Sequence, residues 1–164
     1  MKRVGIVMGS DSDLDKVQSA MDTLHAYGIP FEVHVFSAHR SPDEAAKFAS
    51  SAAENGFGVL LAAAGKAAHL AGALASRTIL PVIGIPISSH FLDGMDALLS
   101  TVQMPSGIPV ATVAVDGAKN AAILAAQILA VNDPEITQKL LHQRESMHSE
   151  ILKKDREIGL KFNH

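Results

Sequence analysis

Phe57-Gly58-Val59-Leu60-Leu61-Ala62-Ala63 decides the fold, because it is apolar at every position. A short, unbroken apolar run reads as a strand of a parallel sheet whose two faces are both covered. Upstream, residues 3–9 form a similar run closed by Gly9-Ser10-Asp11, and residues 30–36 read as a second strand. Between them Leu14, Val17, Met21 and Leu24 share one face of a helix that Asp11 or Ser12 can cap and that runs to about Tyr27. Gly28 suits the left-handed residue that ends such a helix. Pro42 opens the next helix at its first turn, where a missing N–H does no harm, and that helix runs to about Gly56.

Downstream the alternation continues. An Ala-rich helix is predicted over about 67–77, a strand over 81–85, a helix over 93–102, a strand over 108–115 and a helix over 118–129. Strand and helix thus alternate five times with no hairpin signal. That order predicts an α/β fold: a five-stranded parallel sheet, helices on both faces, right-handed crossovers. No repeat, linker or low-complexity tract interrupts it, so residues 1–164 read as one domain with a core of about 3–132. A further helix is predicted at about 134–159, where Ile136, Leu140, Met147 and Ile151 recur near helical spacing and Leu141 and Leu152 widen the stripe. The domain already has its five repeats, so this stripe is expected to cover a neighbouring copy; the alternative is a helix folded back on its own domain.

Composition narrows the function. Of 164 residues 48% are apolar but only 4% aromatic, so the core is built from Ala, Val, Ile and Leu, with helices packed closely. A net charge of −3 gives no basic excess for nucleic acid or anionic membrane. The absence of cysteine excludes disulfide and thiolate chemistry. The apolar run at 4–8 stops too early for a signal peptide or a membrane span, which leaves a cytoplasmic location as the default. The eight histidines are scattered, with no pairing to a carboxylate at metal-ligand spacing, so no metal site is expected. No Gly-x-Gly-x-x-Gly fingerprint or P-loop ending is present either.

Ligands of open parallel sheets bind at the carboxyl ends of the strands. Four loops there stand out. Gly9-Ser10-Asp11-Ser12-Asp13 combines a glycine turn, hydroxyl donors and free helix N–H groups, which attract phosphate, while Asp13 suits ribose hydroxyls; helix capping alone would also explain it. Ser37-Ala38-His39-Arg40-Ser41-Pro42 pairs a guanidinium that can clamp phosphate with an imidazole that can give and take a proton near neutral pH; a plain surface pair is the bland reading. Ala62-Ala63-Ala64-Gly65-Lys66-Ala67-Ala68-His69-Leu70 lets backbone approach a flat ligand, with His69 in a supporting role. Gln103-Met104-Pro105-Ser106-Gly107-Ile108-Pro109 is a stiff turn that supplies either an apolar wall or merely the chain path.

Taken in order, these four segments and Lys119-Asn120-Ala121-Ala122 resemble the PurE family, the N5-carboxyaminoimidazole ribonucleotide mutases of purine biosynthesis, from Val4 to about Ala130. The resemblance implies a flavodoxin-like three-layer sandwich and a homo-octamer. It implies that Ser10, Asp13 and Arg40 hold the ribose and phosphate of a nucleotide, with Ser12, Ser37, Ala64, Gly65, Lys66, His69 and Leu70 completing the substrate site and His39 as the acid and base. It implies an isomerisation in which a carboxyl moves from an exocyclic nitrogen to ring carbon C4, with no cofactor. Ala38-His39-Arg40 and the Ala-Ala-His-Leu loop side with the mutases over the branch that carboxylates aminoimidazole ribonucleotide directly. A regulatory nucleotide-binding module and a flavin electron carrier are the readings from other classes. One departure matters: Lys66 stands where the family's loop carries a second glycine, and Ala71 where it carries proline. Lysine would be strained there if the backbone were left-handed. The expectation adopted is ordinary torsions, with Lys66 reaching solvent or an anion.

Overall fold

The unbroken apolar run occupies the centre of the sheet. In the computed structural model, which describes residues 1–163 and leaves His164 outside, the strands are β1 (Arg3–Met8), β2 (Phe31–Val35), β3 (Phe57–Gly65), β4 (Val82–Ile87) and β5 (Ala111–Thr112). All are parallel, in the order β2-β1-β3-β4-β5, with Met8 level with Val35 on one side and Ala63 on the other. This is the flavodoxin-like order.

Because strand side chains alternate between faces, the three central strands feed two cores. Val4, Ile6, Val59, Leu61, Ile83 and Ile85 face one layer, formed by α1 (Leu14–Tyr27) and α5 (Ala118–Ala130). Val7, Leu60, Ala62 and Val82 face the other, where α2 (Pro42–Ser51) and α3 (Leu70–Ala75) pack, with α4 (Met95–Val102) beyond. The expected closeness of the helices is explicit in α5, whose Ala118, Ala121, Ala122, Ala125 and Ala126 are all fully buried. Gly84 serves the same purpose on β4, since a Cβ there would collide with the Thr101 methyl of α4. Gly28 ends α1 at φ 68, as predicted.

Several boundaries move for physical reasons. The cap of the first helical segment is neither Asp11 nor Ser12 but Ser10, whose hydroxyl accepts from Ser12 N at 3.3 Å and starts a 3-10 turn, Asp11–Asp13, ahead of α1. Leu14 does not join the apolar face: it starts α1 at the rim and is exposed. α2 stops at Ser51, and the chain reaches Gly56 through turns. α3 is shorter than the predicted 67–77, because residues 66–69 form tight turns instead (Ala68 N to Lys66 O, 2.8 Å; His69 N to Ala67 O, 2.9 Å). β5 is shorter than 108–115: Pro109 has no N–H to donate, although Val113 N and Asp116 N still reach Gly84 O and Pro86 O.

The last helix, α6 (Pro134–Phe162), follows the fold-back alternative in its first turns only. Asp133 caps it through Glu135 N and Ile136 N. Its first turns fold back on the domain: Ile136 is fully buried, Leu140 packs on the core, and Lys139 donates to Tyr27 O at 2.8 Å. Beyond them Leu141, Met147, Ile151 and Leu152 are exposed.

Candidate active site

The loops after β1, β2, β3 and β4 enclose a cleft of about 610 Å³ at the carboxyl edge of the sheet, a volume suited to a small organic ligand. Every residue singled out by sequence as catalytic or substrate-binding lines it. The first loop contributes Ser10, Ser12 and Asp13, the second Ser37, His39 and Arg40, and the third Ala64, Gly65, Lys66, His69 and Leu70.

The first two loops organise themselves. Ser12 Oγ donates to Ser10 Oγ at 2.9 Å, and Ser10 Oγ to Asp11 Oδ1 at 3.2 Å. Gly9 keeps ordinary torsions; its carbonyl accepts from Arg40 Nη2 at 3.2 Å, so the guanidinium reaches from the β2 loop across to the β1 loop. Ser37 Oγ accepts from the backbone N–H of His39 (3.3 Å) and of Arg40 (3.1 Å), while Ser41 Oγ accepts from Ser37 N at 2.8 Å. Ser37 thus fixes the turn that presents His39 and Arg40, a structural duty sequence alone did not reveal. Asp13 is almost buried. Burial pushes its carboxyl up, and neighbouring Asp11 adds to this; bonds from Ser12 and Ser10 and the charge of Lys16 oppose the rise without cancelling it.

His39 does not stand alone. Its Nε2 lies 3.0 Å from Nδ1 of His69, with the rings edge to face. Residues thirty positions apart meet because β2 and β3 flank β1, so their loops can close over the β1 end. One ring nitrogen must donate and the other accept, so the pair holds a single proton between the two facing nitrogens. His69, just ahead of α3, is therefore a direct partner of His39.

The expectation about Lys66 is overturned. Its φ is 55°, in the left-handed region. A lysine there costs about 1 kcal/mol relative to glycine. The tight turns that follow it carry His69 towards His39, and the loop keeps this path at the price of that strain.

Two further corrections concern loops. Gln103–Pro109 does not line the cleft: it connects α4 to β5, and Met104 packs against Gly72 in the first turn of α3. In its place the β4 loop supplies Ile87, Ser88 and Ser89. Sequence reading ended that strand at Ile85, two residues early, and so overlooked Ser88. Lys16 Nζ donates to Ser88 O (2.7 Å) and Ser88 Oγ (2.5 Å) and lies 3.5 Å from Asp116. Asp116 in turn accepts from Ser88 N (2.9 Å) and Ser88 Oγ (2.5 Å). Burial raises the Asp116 carboxyl, but the Ser88 bonds and Lys16 outweigh it and leave it below the usual range.

Away from the cleft, His34 is paired with a carboxylate after all: its Nε2 is 2.8 Å from Glu32, since residues two apart share a strand face. His34 also stacks on Phe36. His142 and His148 are exposed on α6.

Known proteins resemble the chain throughout this framework. A family model described as AIR carboxylase matches residues 3–150. The N5-carboxyaminoimidazole ribonucleotide mutase of Pyrococcus horikoshii is 52% identical over 155 residues, covering 94% of this chain and 88% of that protein. The N5-carboxyaminoimidazole ribonucleotide mutase of Escherichia coli K12 is 51% identical over 152 residues, covering 92% and 90%. The crystal structure of Treponema denticola PurE superposes with a TM-score of 0.84 at 27% identity and covers 98% of both chains.

Proposed function

The chain belongs to the AIR carboxylase family, and from that premise we propose that it isomerises N5-carboxyaminoimidazole ribonucleotide to 4-carboxy-5-aminoimidazole ribonucleotide in purine biosynthesis. The observation that carries the reading is the His39–His69 pair held over a cleft with a small-residue floor.

The proton accounting closes on one imidazole. Breaking the N–C bond of the carbamate releases carbon dioxide and returns the bonding pair to nitrogen, which takes a proton from His39. C4 then attacks the trapped carbon dioxide, and the C4 proton leaves to His39. The enzyme ends as it began, and no co-reactant is consumed. His69 Nδ1 accepts from His39 Nε2 while that nitrogen carries a proton and so orients the reacting imidazole. Ala64, Gly65 and Leu70 keep carbon dioxide near C4 and exclude water. Ser10, Ser12, Asp13, Ser37 and Arg40 hold the ribose and phosphate, binding remote from the reacting atoms.

The domain spans the whole chain with its core at about 3–132, and the helix at about 134–159 is its oligomerisation element. The exposed Leu141, Met147, Ile151 and Leu152 support a subunit contact in a homo-octamer. The enzyme works in the cytoplasm; among the described residues no helix is long and apolar enough to cross a membrane.

The test supplies purified protein with either the carbamate nucleotide or aminoimidazole ribonucleotide plus bicarbonate. Faster formation of the C4-carboxylated product from the carbamate is expected. Equal or faster formation from bicarbonate would assign direct carboxylation instead.

A further inference from the structure

We infer that Lys66 is a specificity-determining residue whose ammonium holds the migrating carboxylate, so that this chain discriminates carboxylated from uncarboxylated nucleotide by side-chain charge. The inference rests on the mutase reading and adds a recognition element to it.

Three cations line the cleft, and two are committed. Lys16 is held by Ser88 O, Ser88 Oγ and Asp116. Arg40 reaches Gly9 O, on the side of the cleft formed by the β2 and β1 loops. Lys66 is exposed and, among the described residues, has no side-chain hydrogen bond or ion pair. It also sits at φ 55°, where glycine would be relaxed. Its side chain therefore gives nothing to the fold, yet the loop carries the backbone strain it imposes. Such strain at a site is a pointer to function.

Position selects the ligand. The strand order sets the β2 and β1 loops on one side and the β3 loop on the other. A nucleotide whose phosphate lies with Arg40 and the first loop extends its base towards the His39–His69 pair, and the next cation beyond is Lys66. Before the shift the carboxylate is on nitrogen, afterwards on C4. A flexible four-carbon stem with three rotatable donors can follow it between the two, which fixed backbone N–H groups cannot.

Lys66→Met removes the charge and keeps the strain, Lys66→Arg keeps the charge, and Lys66→Gly removes both. Dissociation constants are measured by calorimetry for 4-carboxy-5-aminoimidazole ribonucleotide and for 5-aminoimidazole ribonucleotide. The Met and Gly variants are expected to weaken binding of the carboxylated nucleotide by about tenfold, the scale of one hydrogen bond to a charged group, and to leave the other within about twofold; Arg retains the preference. The Gly variant is expected to melt no lower than wild type. Equal losses for both nucleotides, no loss for either, or a clearly lower melting temperature for the Gly variant would overturn the inference. Wild-type turnover in the same preparation keeps the outcomes separate: absent turnover defeats the mutase reading, whereas the ratio of the two dissociation constants alone decides the role of Lys66.

Discussion

The two halves of the cleft are built differently. The loops after β1 and β2 contain no residue in the left-handed region, whereas those after β3, β4 and β5 contain the four such non-glycine residues among the described residues: Lys66, which lines the cleft, and Leu92, Asp93 and Asp116, which lie outside its lining. The relaxed half satisfies its polar groups locally, with Ser10, Ser12, Ser37 and Ser41 bonding within their own turns. The strained half is held from a distance, with Ser88 clamped by Lys16 and Asp116. Local satisfaction suits a site that grips an invariant group such as ribose phosphate. Over-determined, strained backbone suits the side where the reacting groups must be held in one geometry.

The sharpest way to test this division is to remove the group that crosses it. His39 belongs to the relaxed β2 loop but bonds to His69 of the β3 loop. His39→Asn is expected to lower turnover by about 10²–10⁴-fold, the range of general acid–base catalysis, while the dissociation constant of the product nucleotide stays within a few-fold. Wild-type turnover in that variant would remove His39 from the mechanism.

Within the relaxed half, Arg40→Ala is expected to raise KM by about 10–100-fold, the equivalent of one or two charge-assisted hydrogen bonds, with kcat little changed. Steady-state kinetics on the carbamate nucleotide would show it. A loss confined to kcat would mean that Arg40 serves the reacting end and that the division is drawn in the wrong place.

The same division explains what could be read in advance. β1, β3 and β4 were legible because buried parallel strands are unbroken apolar runs, and Gly28 because a left-handed helix end has few solutions. Ser10, Asp13, His39 and Arg40 were legible because they follow those strands directly. The strained half was not. The torsion of Lys66 depends on how residues 66–69 turn to bring His69 to His39, a tertiary demand no local pattern encodes. The Ser88 clamp joins positions 72 and 28 residues apart, and only the strand order brings them together. The one available signal is the place of Ser88 directly after an apolar run that continues two residues past Ile85. Gln103–Pro109 misleads for the converse reason: its prolines and glycine mark a turn, but it precedes β5 instead of following a strand, so it is not among the strand-end loops that line the cleft.

A smaller effect is expected at Asp13, the one buried charge of the relaxed half. Burial raises its carboxyl, so the folded protein disfavours the ionised form. The cost is fully present above the folded-state pKa and disappears as pH falls below the unfolded value, about 3.9. Asp13→Asn is expected to raise the melting temperature at pH 7 by about 2 °C, as a fraction of a kcal/mol does in a domain of this size, while weakening nucleotide binding. The gain should shrink in scans towards pH 4. A lower melting temperature at pH 7 would show that the bonds from Ser12 and Ser10 outweigh desolvation.

Asp116 should do the opposite, and more weakly. Burial raises its carboxyl, but the Ser88 hydroxyl and N–H and the Lys16 ammonium lower it further, so the ionised form is favoured in the folded state. Its contribution is present above the unfolded value of about 3.9 and is lost as pH falls through the lower folded value. The side chain is more than a third exposed, so water screens the Lys16 pair. Asn is the informative replacement because it tolerates the left-handed backbone at φ 55° and removes the charge while keeping one of the two acceptor oxygens that Ser88 uses. Asp116→Asn is expected to lower the melting temperature at pH 7 by about 1–2 °C, the scale of one exposed ion pair, with the difference from wild type vanishing in strongly acidic buffer. Thermal scans across pH check the sign. A loss independent of pH would place the effect in the backbone turn, and the strained half would then be held by shape alone, without the charge of Lys16.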